Sequence, residues 1–491
     1  MIDIVILTLP KMEIRAPLIG PAALKSVLEK NGFTCKCMDF NIDLFSRLRT
    51  VVPAWWEFND YTFMDDDLFA EAWNTYIKDI ADEWTDQVAE LNPKVIGITV
   101  LSYWTERICN KIIDMLNEKC SESRIVLGGP GTQPVYGQQK KDEGSVNAYI
   151  TGEGEISFLE YMRGNQLFPG VNGLPAQQID DMNSLPFPDY SDYDLSKYSH
   201  KWTNPRIEPK GCTWLYITGT RGCIKRCTFC NVGSIWPKYV GKTGDTIAKE
   251  LKHYVDTTGI KNYYFTDSLL NGNIEALEEM CDSIIDYGLE LYIKGQWIAR
   301  GEKLMPPELW TKMRKAGIQE IIIGIESGSE KVRNDMKKGV AEKDIDYTFL
   351  QCQKHRIKAV PLLMIGYPTE TEEDFLDNLK FWERYEKYND GTIHMPYLGT
   401  TTRILPNTPL ETRYENAGLY YDKFGHWVLN DNNMKTRVER WFRMRDKALE
   451  HGYNLTVDAP AVLLREYREI TGIDLAEKYG VLRKGEKIWN D

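Results

Sequence analysis

Along the first 160 residues, short unbroken apolar runs alternate with stretches in which apolar residues recur every three or four positions. "IDIVILTL" (2–9) reads as a buried strand, "IGPAALKSVLEKNG" (19–32) as an amphipathic helix closed by glycine, and "TCKCMDFN" (34–41) as a second strand. Further on come "KVIGITVLS" (94–102), the helical "YWTERICNKIIDMLNEK" (103–119), "RIVLGGPG" (124–131) and "AYITGEGE" (148–155). The order β-α-β-insertion-β-α-β-β, with glycines at the ends of two strands, predicts a doubly wound parallel α/β sheet over residues 1–164. Ligands of such sheets bind at the C-terminal strand ends. The insertion, about 42–92, is rich in Trp and acidic residues at helical spacing. It is expected to cap the sheet with an aromatic core; the alternative is a lid over a ligand. Residues 165–210 carry Pro, Asn, Asp and Ser without periodicity and read as a linker.

A longer alternation begins at Thr213. Strand candidates are "TWLYITGT" (213–220), "NYYFTDS" (262–268), "LYIKGQWI" (291–298), "EIIIGIES" (320–327), "AVPLLMIGY" (359–367) and "TIHMPYLG" (392–399). Amphipathic runs separate them at 245–258, 274–287, 307–316, 342–355 and 371–388. Six β/α units over 211–411 predict a (β/α)6-type partial TIM barrel or a full one, with its chemistry at the C-terminal strand ends. The remainder, 412–491, is charged and reads as a helical C-terminal domain.

Composition narrows the function. The chain of 491 residues carries 60 basic and 72 acidic side chains, a net charge of -12, which disfavours nucleic acid as the main partner. Its longest apolar runs are about half of a membrane span, and the N-terminus lacks the basic flank and cleavage site of a signal peptide. These features lead us to expect a soluble, cytoplasmic protein. Ten cysteines, scattered apart from one cluster, do not form a disulfide framework.

That cluster is "TRGCIKRCTFCN", with Cys223, Cys227 and Cys230 spaced C-x3-C-x2-C and no fourth Cys or His close behind. It directly follows the first predicted barrel strand. A structural zinc site needs four closed ligands, and the nearest extra candidates, Cys212 and His253, lack finger spacing. An electron-transfer cluster would also want a fourth thiolate, and Cys281 and Cys352 stand alone on helical patterns. In a third reading the gap itself is used: three thiolates leave one iron of a [4Fe-4S] cluster open to bind a substrate or cofactor.

This spacing, with Phe229 just before the last cysteine, resembles the signature of the radical S-adenosylmethionine (SAM) superfamily. The resemblance implies that SAM chelates the open iron and is cleaved to a 5'-deoxyadenosyl radical. It also implies SAM contacts from Phe229, from Thr266, Asp267 and Ser268 in "YYFTDSLLNGN", from Gln296 and Arg300 in "QWIAR", from Glu326 and Ser327 in "IIIGIESGSEKV", and from Gly366, Tyr367 and Pro368 in "LMIGYPTETEEDF". "ILPNTPLE" (404–411) resembles the segment that closes the barrel.

A Rossmann-like domain ahead of such a barrel resembles the cobalamin-binding radical SAM class. The motifs that carry this likeness are "APLIGPAALKSVLEKNGFTCKCMDFN", "GITVLS", "VLGGPGTQP", "YITGEGEISFLEYM" and "LPFPDYSDYDL". It implies cobalamin contacts from Ser102, Tyr103, Gly128, Gly129, Pro130, Gly152, Glu153, Gly154 and Glu155. One departure is that "LPKMEIRAPLIG" replaces the D-x-H-x-x-G of many cobalamin domains, and none of the six histidines falls in the N-terminal domain. Cofactors implied by the resemblance are the cluster, SAM and cobalamin. The expected partners are a small-molecule substrate, with His394 and Tyr397 as candidate contacts, and an electron donor such as flavodoxin or ferredoxin. The expected activity is C-methyl transfer to an unactivated carbon of a small molecule or natural product. The alternatives are cyclisation, ring contraction or other rearrangement on the same parts. Transfer-RNA methylthiolation would instead predict a second three-cysteine cluster and a basic tail, for which Cys35, Cys37, Cys109 and Cys120 have the wrong spacing. A non-enzymatic iron–sulfur module predicts no SAM cleavage.

Overall fold

A computed structural model describes residues 2–56, 60, 62–132, 134–198, 213–455 and 460–475; Cys212 and His200 lie outside them. The chain divides into two compact units, Met1–Tyr216 and Ile217–Asp491.

In the first unit the elements run β1 (Ile4–Thr8), α1 (Ile19–Lys30), β2 (Cys35–Asp39), α2 (Phe40–Leu48), α3 (Asp66–Ala72), α4 (Lys78–Leu91), β3 (Val95–Thr99), α5 (Glu106–Lys119), β4 (Arg124–Gly128), α6 (Pro134–Asp142), β5 (Ala148–Tyr149) and α7 (Gly154–Met162). The sheet has the order β2-β1-β3-β4-β5, every pair parallel, so the order reverses between β1 and β3. A reversal of this kind leaves a crevice at the C-terminal strand ends. The unbroken apolar runs of β1 and β3 follow from burial on both faces.

The insertion is helical, and its aromatic residues join the sheet's core. Phe40 stacks on Trp84 at 4.7 Å, and Trp55, Trp73 and Trp84 are buried with Val5, Leu7, Ile96 and Ile98. The Trp84 indole donates to Asp43 at 2.8 Å, so the large ring is buried without orphaning its N–H. This is the capping arrangement.

Three expectations need correction. The strand expected over 148–155 ends at Tyr149: Gly152 takes φ +74° and α7 begins at Gly154. Helix α6 was not expected, because "PVYGQQKKD" contains both helix-breaking residue types. The stretch 189–198 is not free chain. Lys25 pairs with Asp192 at 2.8 Å and donates to Ser191 at 2.7 Å, while the Tyr198 hydroxyl donates to Asp39 at 2.6 Å.

The second sheet begins with β6 (Trp214–Ile217), inside which the unit boundary falls. There follow β7 (Thr220–Arg221), α8 (Val232–Ile235), β8 (Val240–Gly241), α9 (Gly244–Thr258), β9 (Asn262–Phe265), α10 (Ile274–Asp286), β10 (Tyr292–Trp297), α11 (Pro307–Lys315), β11 (Ile318–Glu326), α12 (Glu330–Asp335), α13 (Glu342–His355), β12 (Lys358–Ile365), α14 (Glu372–Arg384), β13 (Tyr397–Thr401), α15 (Pro409–Arg413), β14 (Tyr420–Tyr421), β15 (Trp427–Val428), α16 (Met434–Glu450) and α17 (Ala461–Thr471). The large sheet has the order β13-β12-β11-β10-β9-β6, an open six-stranded partial barrel in which β9 to β13 pair in parallel. The last strand starts five residues later than expected. Met395 sits at φ +44° and Pro396 follows, so regular pairing resumes only at Tyr397. Helix α16 packs on α14 and β13, where the Trp441 indole donates to the Gly399 carbonyl at 2.7 Å.

Candidate active site

The cysteine loop leaves the C-terminal end of β6 and is pinched by a two-residue antiparallel ladder between β7 and β8. At its neck Gly222 adopts φ +83°, and a Cβ there would lie 2.2 Å from the Lys238 carbonyl oxygen, so only glycine fits. All three thiols are free; Cys227 is buried and its neighbours are half-buried. Burial pushes Cys227 up to about 11 and raises Cys230, with Cys223 adding to both. Thiols that disfavour ionisation in the bare loop need a cationic centre to become ligands. Among the described residues no group of three His, Cys, Asp or Glu could hold one metal ion. A single ion needs every ligand within about 2.3 Å of one point, whereas a four-iron cluster gives each thiolate its own iron. Three thiols with no fourth ligand among the described residues fit the cluster.

Thr228, between the second and third cysteines, anchors the loop. Its N–H donates to the Met336 carbonyl at 2.9 Å, its carbonyl accepts from Leu410 N–H at 2.9 Å, and its hydroxyl meets the Tyr367 hydroxyl at 2.7 Å. Phe229 packs, partly buried, against a cluster that includes Met336, Tyr367 and Leu410. Phe229 and Tyr367 therefore serve as supports of the loop. Arg226 donates to the Cys223 and Pro237 carbonyls, and Lys225 to the Gly339 carbonyl at 3.2 Å. Sequence patterning did not single out Thr228, because nothing local marks a threonine whose partners are more than 100 residues away.

The strand ends bring several expected residues to this loop and divert others. Asp267, fully buried, accepts from Gly219 N–H at 2.9 Å and from the Thr220 hydroxyl at 2.6 Å. It thereby shapes the turn that leads into the cysteines, and burial pushes its pKa up to about 6. Thr266 is exposed, its hydroxyl 2.8 Å from that of Thr218, and Ser268 is half-buried. The Gln296 amide lies 3.4 Å from the Tyr264 hydroxyl. Arg300 donates to the Gly272 carbonyl at 3.3 Å, and burial lowers its pKa.

Glu326 ends β11 at φ +67°, beside a break in register, and pairs at 2.6 Å with Lys338. Both act on the Cys227 and Cys230 thiols, Lys338 more strongly than Glu326. Lys338 is a second residue that sequence reading missed. Its signal was present in "MKKG", directly after a helix that starts at the end of a barrel strand. Ser327 is diverted: it is fully buried, and its hydroxyl donates to Asn378 at 3.0 Å. Gly366 takes φ +77° over the Arg437 side chain, and Asn432 donates to the Tyr367 carbonyl at 2.8 Å and the Pro368 carbonyl at 3.4 Å. His394 is not at this end at all. Its N–H donates to the Ala359 carbonyl, six residues below Ile365, or about 20 Å along the strand. Burial lowers its pKa to about 4. Tyr397 pairs with Leu362, midway up.

In the first unit, the loops that follow β3 and β4 pack closely together. A Cβ on Gly129 (φ +98°) would lie 2.6 Å from the Val100 carbonyl oxygen, and one on Gly131 2.5 Å from Ser102 N. Gly152 is needed for the close approach of Ala176, and Gly154 faces Leu24. Glu153 accepts from Ile179 N–H, and Glu155 is buried in the first turn of α7. The space beside Gly129, Gly131, Gly152 and Gly154 is thus filled by other atoms of the protein. Gly128 differs, since a Cβ there would meet nothing within 4 Å. With Pro130, Ser102 and the exposed Leu101 and Tyr103 it forms an accessible, largely apolar rim.

Residues 217–381 match the model of the Radical SAM superfamily. These residues, within the second unit, form a radical SAM domain. An uncharacterised methyltransferase of Pyrococcus horikoshii is 24% identical over 334 residues, covering 64% of this chain and 69% of that one. A candidate methylthiotransferase of Methanocaldococcus jannaschii is 28% identical over 395 residues, covering 74% and 81%. Among solved structures, the radical SAM methyltransferase TsrM from Kitasatospora setae, with cobalamin and a [4Fe-4S] cluster bound, superposes with a TM-score of 0.62. It is 15% identical, with 93% of this chain and 91% of that one covered. The chain thus shares the fold of a cobalamin-binding radical SAM enzyme. Within the radical SAM domain, Cys223, Cys227 and Cys230 stand at the end of its first strand. No described helix is long and apolar enough to cross a membrane.

Proposed function

We propose that this chain is a cobalamin-dependent radical SAM methyltransferase acting on an unactivated carbon of a small-molecule substrate. The observation that carries the reading is the set of three free thiols, without a fourth ligand among the described residues, on an anchored loop at the end of the first barrel strand. Cys223, Cys227 and Cys230 would hold the cluster, with Glu326, Lys338, Gln296 and Arg300 placed to bind SAM beside it. The rim of Leu101, Ser102, Tyr103, Gly128 and Pro130 would take cobalamin at the strand ends next to the order reversal. When bound, SAM and the cluster supply a radical able to take hydrogen from carbon, and cobalamin supplies a methyl group. The role of the protein is to orient these groups and exclude water. Tyr397 is the better placed of the two expected substrate contacts.

The likeness to a candidate methylthiotransferase raises the question of a second cluster. Cys35 and Cys37 lie on β2, Cys109 is fully buried in α5, and Cys120 sits at that helix's C-terminus. Among the described residues these thiols form no three-ligand group. Methyl transfer is therefore the reading we adopt.

Anaerobic reconstitution with iron, sulfide and hydroxocobalamin, followed by desalting and metal analysis, tests it. The expected result is about four irons with stoichiometric cobalt, and 5'-deoxyadenosine from added SAM. Iron without cobalt would keep radical SAM chemistry and remove methyl transfer; absence of iron would overturn the assignment.

A further inference from the structure

The inner face of the open barrel is identified by one contact: a Cβ on Gly324 would meet the Glu326 and Lys338 side chains. Strand alternation puts Ile322 and Glu320 on the same side as Gly324. The register extends this face into rows. Gly324 lies opposite Leu362 and Leu362 opposite Tyr397; one step lower, Gln296, Ile322 and Val360 are level. A further step down, Tyr264, Lys294, Glu320 and Lys358 form a row across four strands. In the two upper rows Gln296, Ile322, Val360, Leu362 and Tyr397 are half-buried, whereas the helix-side residues Ile321, Ile323, Ala359 and Leu363 are buried. The lowest row is charged. Lys294 and Glu320 are 3% exposed; Lys294 covers the Tyr264 ring at 4.9 Å, and Glu320 accepts from the Tyr292 hydroxyl at 3.5 Å. Lys358 forms no ion pair among the described residues. The N–H of His394 donates to the carbonyl of Ala359, next to Lys358; burial and the Lys358 charge both lower the pKa of its ring, so it adds no charge. Two ammonium groups in this row thus stand against one carboxylate.

We propose that this face binds an elongated carboxylic acid, its carboxylate at Lys358 and its apolar body along Val360, Ile322 and Leu362. The inference deepens the function proposed above by naming the substrate class, and rests on it for the reaction itself. One carboxylate offsets the one unmatched ammonium, through a charge-assisted hydrogen bond that is stronger than one between neutral groups. Ile322, Val360 and Leu362 have no partner to give a polar group, so the part of the molecule that covers them is apolar. Glu320 lies four residues below Gly324, or about 13 Å along the strand. A molecule of that length held at the lowest row brings its far end to the level of Lys338 and Glu326. The acid group then decides which carbon arrives there. Lys358 is on this account a specificity-determining residue, remote from the reacting atoms.

The test compares two probes with the same apolar body, 1-naphthaleneacetate and its neutral amide, by anaerobic calorimetry on the reconstituted holoenzyme. Wild type should bind the acid about tenfold more tightly than the amide, the worth of one hydrogen bond to a charged group. In K358Q the acid should weaken to the level of the amide, and the amide should bind as before. Val360→Trp, which fills the middle row, should weaken both probes. If that variant loads less iron than wild type, Leu362→Asn, which makes the upper row polar without filling it, takes its place with the same expectation. Equal affinity of wild type for the two probes, or a preference for the acid that survives in K358Q, would overturn the proposal. So would unchanged binding of both probes by the Val360 and Leu362 variants, which would place the probes elsewhere. A wild type that takes up no iron would overturn the proposed function and this inference together. One that loads iron and cleaves SAM, yet does not prefer the acid, overturns the inference alone.

Discussion

The proposed cluster site at the C-terminal end of β6 is built of side chains, whereas the proposed cobalamin rim at the ends of β3 and β4 is built largely of backbone atoms and glycines. The cysteine loop is tied by Thr228 to three distant segments and by Arg226 to two of its own carbonyls and that of Pro237. The rim of the first unit is tied by backbone groups instead: Val100 N–H donates to the Gly128 carbonyl at 2.7 Å and Gly131 N–H to the Val100 carbonyl at 2.9 Å. Its shape depends on Gly129 and Gly131, which let two loops touch, and on Gly128, which faces open space. A site that must hold reactive ligands at fixed spacing needs many restraints, because a small displacement of a ligand changes its reactivity. A site that accommodates a large preformed ligand needs clearance. The two regions should therefore respond to substitution in different ways.

The largest effect is expected at the cysteines. Replacing Cys223, Cys227 or Cys230 with Ala should abolish iron retention and 5'-deoxyadenosine formation, while cobalt uptake persists. Metal analysis and product chromatography check both arms. Retained SAM cleavage would show that the loop is not the ligand set.

A pair of adjacent glycines sharpens the contrast. Gly129→Ala forces a Cβ against the Val100 carbonyl at positive φ and should cost on the order of 1–3 kcal/mol of stability. The Cβ of Gly128→Leu would meet nothing within 4 Å, so the melting temperature should hold while cobalamin uptake falls. Unfolding scans and cobalt analysis separate the two. A Gly128→Leu variant with full cobalt would move the ligand off this rim.

The same contrast explains what could be read in the sequence. The α/β alternation, the open six-stranded barrel and the cysteine spacing were legible because each is a local pattern: periodicity in one case, three residues within eight in the other. The supports were not. Thr228 and Lys338 act through contacts made only after folding. Asp267, Ser327 and Tyr367 were noticed by position, yet they are buried and hydrogen-bonded within the protein. Among the glycines, sequence could not distinguish Gly128, with open space beside it, from Gly129, whose space is filled by Val100. His394 was misplaced because Met395 and Pro396 delay the strand, which leaves the histidine near its lower end.

A smaller effect is expected at Thr228. Thr228→Val keeps the backbone hydrogen bonds but removes the hydroxyl that meets Tyr367 at 2.7 Å, leaving that buried phenol to Tyr414 and to the 3.4 Å contact from Arg413. Losing a partner of this kind costs about 1–3 kcal/mol. The loop should still load iron but surrender it several-fold faster to a chelator. The absorbance decay under chelator challenge measures this, and an unchanged rate would mean that Leu410 and Met336 suffice.

The smallest effect concerns Asp267, which shapes the turn before the cysteines without being a ligand. Its pKa is about 6 in the folded protein against an ordinary value of 3.8, because burial disfavours the carboxylate more than Gly219 and Thr220 favour it. An acid whose folded pKa is raised binds more protons in the native than in the unfolded state between those two values. Its contribution to stability is therefore greatest at low pH and is lost as pH rises through 6. Between pH 7 and pH 5 the iron-free wild type should gain on the order of 1 kcal/mol relative to Asp267→Asn, which does not titrate. Denaturant unfolding of both proteins at the two pH values gives the difference directly. A difference that does not grow as pH falls would show that Asp267 is ionised throughout, held by its two donors as firmly as a surface carboxylate is by water.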